Sequence, residues 1–326
     1  MTERQKMNAL NIAIAAEFEL CEKLTEFLAQ SVLDIGRVSV VEIVPFNEEQ
    51  GVRFNQRAVE QISPDEADWS KFDYLLFAGN AGHAPHMANA AEAGCVVIDM
   101  KGVSAAISGV PVVVPSVNDG DLTELRARNI VAMPDPQVSQ LVLSMARFIE
   151  ENRLNHVLVT SLLPASYMDG ETVGRLAGQT ARLLNGVPLD ENEQRLAFDV
   201  FPKSAGNLTA QFQKIFPALN VTFHSIQTPV FYGMAQKVTA LSDYELETSQ
   251  LLNQWQHNDF IQVEERVITP VLNGETESDE ETVKLHLGNL SAVENGIEFW
   301  SVADEQRFNL AFLTVKLLEK IARQLH

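Results

Sequence analysis

Two cysteines, seven histidines and one early strand–helix turn are where chemistry would first be sought in this 326-residue chain. Cys21 falls within an apolar helical stretch and Cys95 heads an apolar run. In both settings a thiol packs as a small hydrophobe and is a poor nucleophile. Two thiols are also too few for a disulfide framework or a cysteine-based zinc site. His83-Ala84-Pro85-His86 has a ligand-like spacing, but no third ligand lies nearby and Pro85 marks a helix start, so a surface helix terminus is expected and no metal. His224 belongs to an alternating strand and is expected on a half-buried sheet face, while His156, His257, His286 and His326 form no constellation. Neither Ser139 nor His224 has the nucleophile–base pairing that hydrolase chemistry needs.

The early turn reads Ala15-Ala16-Glu17-Phe18-Glu19-Leu20-Cys21. A dinucleotide pyrophosphate at such a turn needs glycines, because side chains keep the backbone away from the phosphates. This turn has none, and Glu17 and Glu19 put two carboxylates where phosphate charge would sit. The expectation is an ordinary turn whose acidic helix start complements the helix dipole, with no NAD or NADP bound in the usual pose.

The surrounding elements explain what holds these groups. Short apolar runs at 10–15, 38–44, 74–78, 96–99, 111–114 and 130–133 alternate with helical patterns at 19–30 and 84–93. Continuous apolar strands between helices predict a doubly wound α/β domain with a parallel sheet. Beyond Met133 the texture becomes α+β, with helices at 136–152 and 170–184 and strands at 155–163, 221–228, 230–241, 282–287, 290–293 and 296–303. Asn295-Gly296 is a hairpin-turn signal. The segment 273–281 reads as a solvated acidic loop, and 306–325 as an amphipathic helix that ends the chain. The net charge of −20 excludes non-specific binding to nucleic acid or to an anionic membrane. No apolar run approaches the roughly 20 residues of a membrane span, and Met1–Asn8 lacks a signal-peptide core, so a cytoplasmic protein is expected.

Several segments together resemble one family. They are Val96-Val97-Ile98-Asp99, Pro111-Val112-Val113-Val114-Pro115-Ser116-Val117-Asn118 and Ile130-Val131-Ala132-Met133-Pro134 in the first half. In the second half they are Leu176-Ala177-Gly178-Gln179, Phe198-Asp199-Val200-Phe201-Pro202, Thr228-Pro229-Val230-Phe231-Tyr232-Gly233 and Phe299-Trp300-Ser301-Val302-Ala303-Asp304-Glu305-Gln306-Arg307. In order and spacing the chain resembles aspartate-semialdehyde dehydrogenase from about Asn11 to the last helix, and in particular a Usg-like branch of that family. The resemblance implies a Rossmann-like domain over 8–133 completed by 306–326, and an α+β dimerisation and substrate domain over 134–305. It also implies an NADP-dependent interconversion of aspartyl phosphate with aspartate semialdehyde and phosphate, by a thiolate nucleophile, a histidine acid/base and arginine anchors.

Position by position, that machinery is missing. The family's Pro-Asn-Cys segment matches Pro134-Asp135-Pro136, with Gln140 keeping the register, so Pro136 stands at the nucleophile. Asp135 and Pro136 instead suit a helix cap and first helical residue. Met234 stands at the acid/base histidine, Gln227 or Thr228 at the carboxylate-binding arginine, and Leu163 at the substrate glutamine. The phosphate-binding arginine falls near Ala105, with Lys101 close by as a partial substitute, and Glu305 replaces an asparagine that faces nicotinamide. The substrate helix before Gln213 is shortened to 207–210, while Asp304 and Arg307 persist as a structural pair. The vestigial cleft is therefore Pro136, Leu163, Gln227, Met234 and Lys101, and the degenerate cofactor loop is Ala15, Ala16, Glu17 and Phe18. The reading is a catalytically inactive relative acting by binding, as a homodimer or in a mixed dimer with an active relative, with no cofactor. The alternative is a divergent dehydrogenase, which would use NADP.

Overall fold

Leu10–Ala15 (β1) is an apolar strand in which only Asn11 is partly exposed. Helix α1 (Phe18–Gln30) follows and buries Leu20, Cys21, Leu24, Phe27 and Leu28 on the face that a 3.6-residue period brings together. Next come β2 (Ile35–Val41), a hairpin of β3 (Arg53–Phe54) and β4 (Arg57–Ala58), β5 (Glu60–Ile62) and β6 (Tyr74–Phe77). Helix α2 (Ala84–Glu92), β7 (Val96–Asp99) and β8 (Ile130–Ala132) complete a six-stranded sheet of order β5-β2-β1-β6-β7-β8. Every pairing in it is parallel. The full burial of β6 and β7 is what a parallel sheet covered on both faces demands.

The structure, a computed structural model, describes residues 9–47, 49–277 and 283–325. It divides into two compact units, one running to Asp135 and resuming at Leu310, the other spanning Pro136–Asn309. The second unit holds α3 (Pro136–Glu151), β9 (His156–Leu163), α4 (Gly170–Leu184), β10 (Phe201–Lys203), α5 (Leu208–Ile215) and β11 (Asn220–Gln227). It continues with β12 (Met234–Leu241), α6 (Thr248–Gln256), β13 (Ile261–Glu264), α7 (Pro270–Glu277), β14 (Leu285–Val293) and β15 (Gly296–Ala303). Its mixed sheet has the order β10-β11-β9-β12-β15-β14-β13. One face is covered by α3 and α6, where the Trp255 indole donates to the Ser144 carbonyl at 2.8 Å and stacks edge-on against Phe299. The chain then passes through a π-helical segment, Glu305–Phe312, into α8 (Leu313–Leu325), which belongs to the first unit. There Phe312 meets Phe27 of α1 edge-on at 5.7 Å, and the Thr314 hydroxyl lies 3.2 Å from the Met133 sulfur.

The α/β class stands, and several element boundaries differ from expectation. Residues 111–114 are buried and extended but make one bridge only, Val112 to Ala132. The Asn118 side chain takes two of their other backbone groups, accepting from the Val114 amide and donating to the Val112 carbonyl. β2 starts earlier than expected and ends at Val41, where the Ile43 amide folds back on the Val41 carbonyl at 2.9 Å. Residues 230–231 pair with the amides of Ala165 and Ser166, so the strand expected from 230 begins only at Met234. The two strands expected on either side of 288–289 are the single strand β14, bulged between Gly288 and Ser291. Residues 273–277 are helical, with Asn273 fully buried, and residues 278–282 lie outside the described residues. The last helix opens as the π-helical segment before becoming α-helical.

Candidate functional site

Strand register fixes what the second unit presents beneath α3. Across β11, β9, β12 and β15, the row Phe223–Val159–Val238–Phe299 is apolar. The next row, Ser225–Ser161–Gln236–Ser301, is polar and buried. Its partners come from α3 and from within the row. Gln140 donates to Ser301 Oγ at 2.8 Å, Ser225 donates to Gln137 Oε1 at 2.8 Å, and Gln236 donates to the Gln137 carbonyl and to Ser161 Oγ. One row further, at the end of the sheet, Gln227 pairs with Leu163 and Met234 with Ala303.

This end row gathers three of the residues expected in the cleft, and Pro136 begins the helix above it. Pro136 is buried as the first residue of α3, its carbonyl accepting from Ser139 Oγ at 3.2 Å. Leu163 and Met234 are also buried. Gln227 spends its amide nitrogen on the carbonyls of Leu163 and Thr228, which leaves its buried Oε1 without a bonded donor. Thr228 donates to the same Leu163 carbonyl. None of Pro136, Leu163, Gln227 and Met234 can ionise, so these four side chains offer neither a nucleophile nor a proton carrier.

A buried ionisable group sits at this end of the sheet. Glu305 is 1% exposed, its Oε1 accepting from Ser166 Oγ at 2.5 Å and its Oε2 from the Gly233 amide at 3.1 Å. Burial first, then the nearby charge of Asp304, push its carboxyl up to about 8 against the opposing pull of those hydrogen bonds. The sequence marks Glu305 as a replacement; only its distance-spanning contact with Ser166 reveals that it is an interior carboxyl. Asp304 accepts from the amides of Gln306 and Arg307, so this pair meets through the backbone as a helix cap.

The first unit holds the remaining expected positions. Lys101 follows β7, and its amide donates to Asp99, a buried carboxyl that also accepts from the amide and hydroxyl of Ser104. Ala105, near which the phosphate-binding arginine was expected, is buried. In the turn after β1, Ala15 and Ala16 bury their methyl groups completely, and Phe18 meets Phe46 edge-on at 5.4 Å. Cys21 donates to the Ala16 carbonyl, and burial pushes its thiol far up, with Glu22, Glu17 and Glu42 adding to the effect. Carboxylates therefore gather at this strand end. Glu42 follows β2, where a dinucleotide fold recognises the ribose, and a carboxylate there repels the 2′-phosphate of NADP. Cys95 is likewise buried, its thiol pushed up to about 12 by burial. His83 accepts from the Asn80 amide in the turn that precedes α2, the role of a helix terminus. His224 is exposed on the other face of the second sheet. Among the described residues no group of three or more His, Cys, Asp or Glu is arranged to hold a metal, and no helix is long and apolar enough to cross a membrane.

No family model matches the chain. It is 64% identical over 316 residues to the USG-1 protein homolog of Haemophilus influenzae, covering 97% of this chain and 98% of that one. It is 30% identical over 287 residues to aspartate-semialdehyde dehydrogenase 2 of Vibrio cholerae, covering 83% of this chain and 85% of the relative. The crystal structure of aspartate semialdehyde dehydrogenase II from Vibrio cholerae superposes with a TM-score of 0.87 at 27% identity, over 98% of this chain and all of that one. The chain therefore belongs to the aspartate-semialdehyde dehydrogenase-like family, as a USG-1-like member.

Proposed function

We propose that this chain is a catalytically inactive member of its family that acts by binding, as a dimer. The observation that carries this reading is that Pro136, where motif order puts the family's nucleophile, is a buried first residue of α3. Met234 at the acid/base position and Leu163 at the substrate position support it, because neither side chain can ionise or donate. Both thiols, Cys21 and Cys95, are buried in the other unit and held protonated, so no displaced cysteine takes over. Loss of one essential group commonly costs several kcal/mol of transition-state stabilisation, and here the groups are lost together. The turn after β1, with buried alanine methyls and neighbouring carboxylates, argues against NADP in the usual pose.

The dimer rests on the sheet of the second unit. Its face away from α3 carries Leu158, Ile226 and Trp300, all only partly buried, and a Lys237–Glu298 ion pair at 2.8 Å. A second copy, or an active relative in a mixed dimer, would cover it. Calorimetric titration with NADP⁺ and NADPH, beside an assay of phosphate-dependent aspartate semialdehyde oxidation, tests the inactive reading. No binding to about 100 μM and no turnover is expected. Micromolar binding or measurable turnover would establish the rival, a divergent NADP-dependent dehydrogenase.

A further inference from the structure

We propose that the second unit binds a small apolar α-amino acid in a pocket at the far end of its sheet, where α3 runs out and β11 begins. The cavity there is about 470 Å³ and is lined by residues 149–150, 152–154 and 216–219. Its volume falls in the range of small-molecule sites, roughly 300–1,000 Å³. It lies at the opposite ends of α3 and β11 from Pro136 and Gln227, so it is separate from the residues weighed above for catalysis. Ile149, Leu154, Phe216 and Ala218 give it apolar surface, and Phe212 braces the Phe216 ring at a centroid distance of 5.5 Å.

Two charges of opposite sign, Glu150 and Arg153, also line the cavity. Neighbouring Glu151 is occupied by Arg147, Gln250 and Gln254. The Glu150 carboxylate has no hydrogen bond or ion pair among the described residues. Arg153 reaches Tyr244, its guanidinium 6.0 Å from the ring centroid and its Nη1 donating to the hydroxyl at 3.5 Å, and no carboxylate of the described residues pairs with it. Three residues apart within a helix such charges would meet, but Arg153 stands past the last residue of α3 and is drawn to Tyr244. A ligand that answers both is a zwitterion with its ammonium and carboxylate on one carbon. The helix ends decide its orientation. α3 ends at Glu151 and α5 at Ile215, both beside the pocket, and the carbonyl end of a helix carries partial negative charge. Asn152 spends its amide nitrogen on the Phe148 carbonyl and Gln250 Oε1, so it offers the ligand an acceptor and no donor. The ammonium therefore goes to Glu150 and the helix ends, the carboxylate to Arg153, and the side chain to the apolar lining.

Calorimetric titration of the full chain with leucine tests the pocket. Leucine should bind with a Kd below about 1 mM, and serine, which lacks the apolar side chain, at least about tenfold more weakly. Isoamylamine is leucine without its carboxylate and isocaproate is leucine without its ammonium; each should bind at least about fivefold more weakly than leucine. Glu150→Gln should weaken leucine by a similar factor without weakening isocaproate, and Arg153→Gln should weaken leucine without weakening isoamylamine. Ala218→Trp fills the cavity and should abolish binding. All three positions are exposed, so the variants should fold, and thermal unfolding checks that they do. No leucine binding at about 10 mM, equal binding of isocaproate or isoamylamine, or leucine affinity that survives Ala218→Trp would overturn the proposal. None of these readouts involves NADP or turnover, so such a failure leaves the inactive reading of the family site untouched.

Discussion

Replacing Pro136 by cysteine puts a thiol in the first turn of a helix, where the dipole would activate it, yet leaves Leu163, Gln227 and Met234, none of which ionises, at the same end of the sheet. Pro136→Cys is expected to lose no more than about 1 kcal/mol of stability, through the added freedom of the unfolded chain. No phosphate-dependent oxidation of aspartate semialdehyde should appear; denaturant titration and the dehydrogenase assay read the two outcomes, and a rate above background would mean that the remaining machinery is intact. Glu305 has a sharper consequence for pH. Its folded value, about 8, lies above its ordinary 4.5, so the folded state binds the extra proton between those limits. Its contribution is fully present below about pH 4.5 and is lost as pH rises through about 8. Relative to wild type, Glu305→Gln should therefore gain stability steadily across this window, reaching on the order of a few kcal/mol above it. Thermal unfolding at a series of pH values checks the slope; parallel curves for the two proteins would contradict it.

The elements around this end of the sheet are held by two different devices. Gly233 has φ of +88°, and a Cβ there would meet Pro270 Cβ at 2.9 Å. Gly233→Ala is thus expected to cost more than about 1 kcal/mol in urea unfolding, since strain and steric overlap add. Beneath α3 the device is the polar row. Ser301→Ala strands the Gln140 amide in the interior and should cost about 1–3 kcal/mol. Adding Gln140→Leu removes the stranded group together with a buried oxygen that has no donor, so the double variant should be less destabilised than the sum of the singles. Simple additivity in a double-mutant cycle would show that the two side chains do not act as a pair. Such features also mark what the sequence could tell. β1, β7, α4 and β15 were legible residue for residue, because continuous apolar runs, a 3.6 period and strict alternation each encode one partner surface. α6 was not, since only Leu251 and Trp255 are buried on its short apolar stripe. Motif order singled out Pro136, Leu163 and Met234, and strand register puts Leu163 and Met234 in one end row. The burial of Glu305 depends on Ser166, 139 residues away, and no local pattern carries that.

Assembly is where local chemistry and fold meet. The second unit buries one face of its seven-stranded sheet under helices and leaves the other with partly buried residues, including Leu158, Ile226 and Trp300. Trp300 is also anchored, its indole donating to the Ile268 carbonyl at 2.7 Å, so part of this apolar surface is rigid before any partner arrives. A rigid apolar surface loses little entropy on association, which favours a stable dimer over a transient contact. Within the same face, Lys237 and Glu298 lie diagonally on β12 and β15 and neutralise each other. Each side chain is about one-third exposed, so breaking the pair in an isolated subunit should cost at most about 1 kcal/mol. Covered by a second copy, the same change would leave two like charges without solvent, at a cost of several kcal/mol. Lys237→Glu should therefore leave the melting of dilute protein nearly unchanged while converting a dimer to monomer at micromolar concentration. Sedimentation velocity of the two proteins side by side decides the matter. A wild-type monomer, or a variant that still dimerises with unchanged affinity, would move the interface away from this sheet.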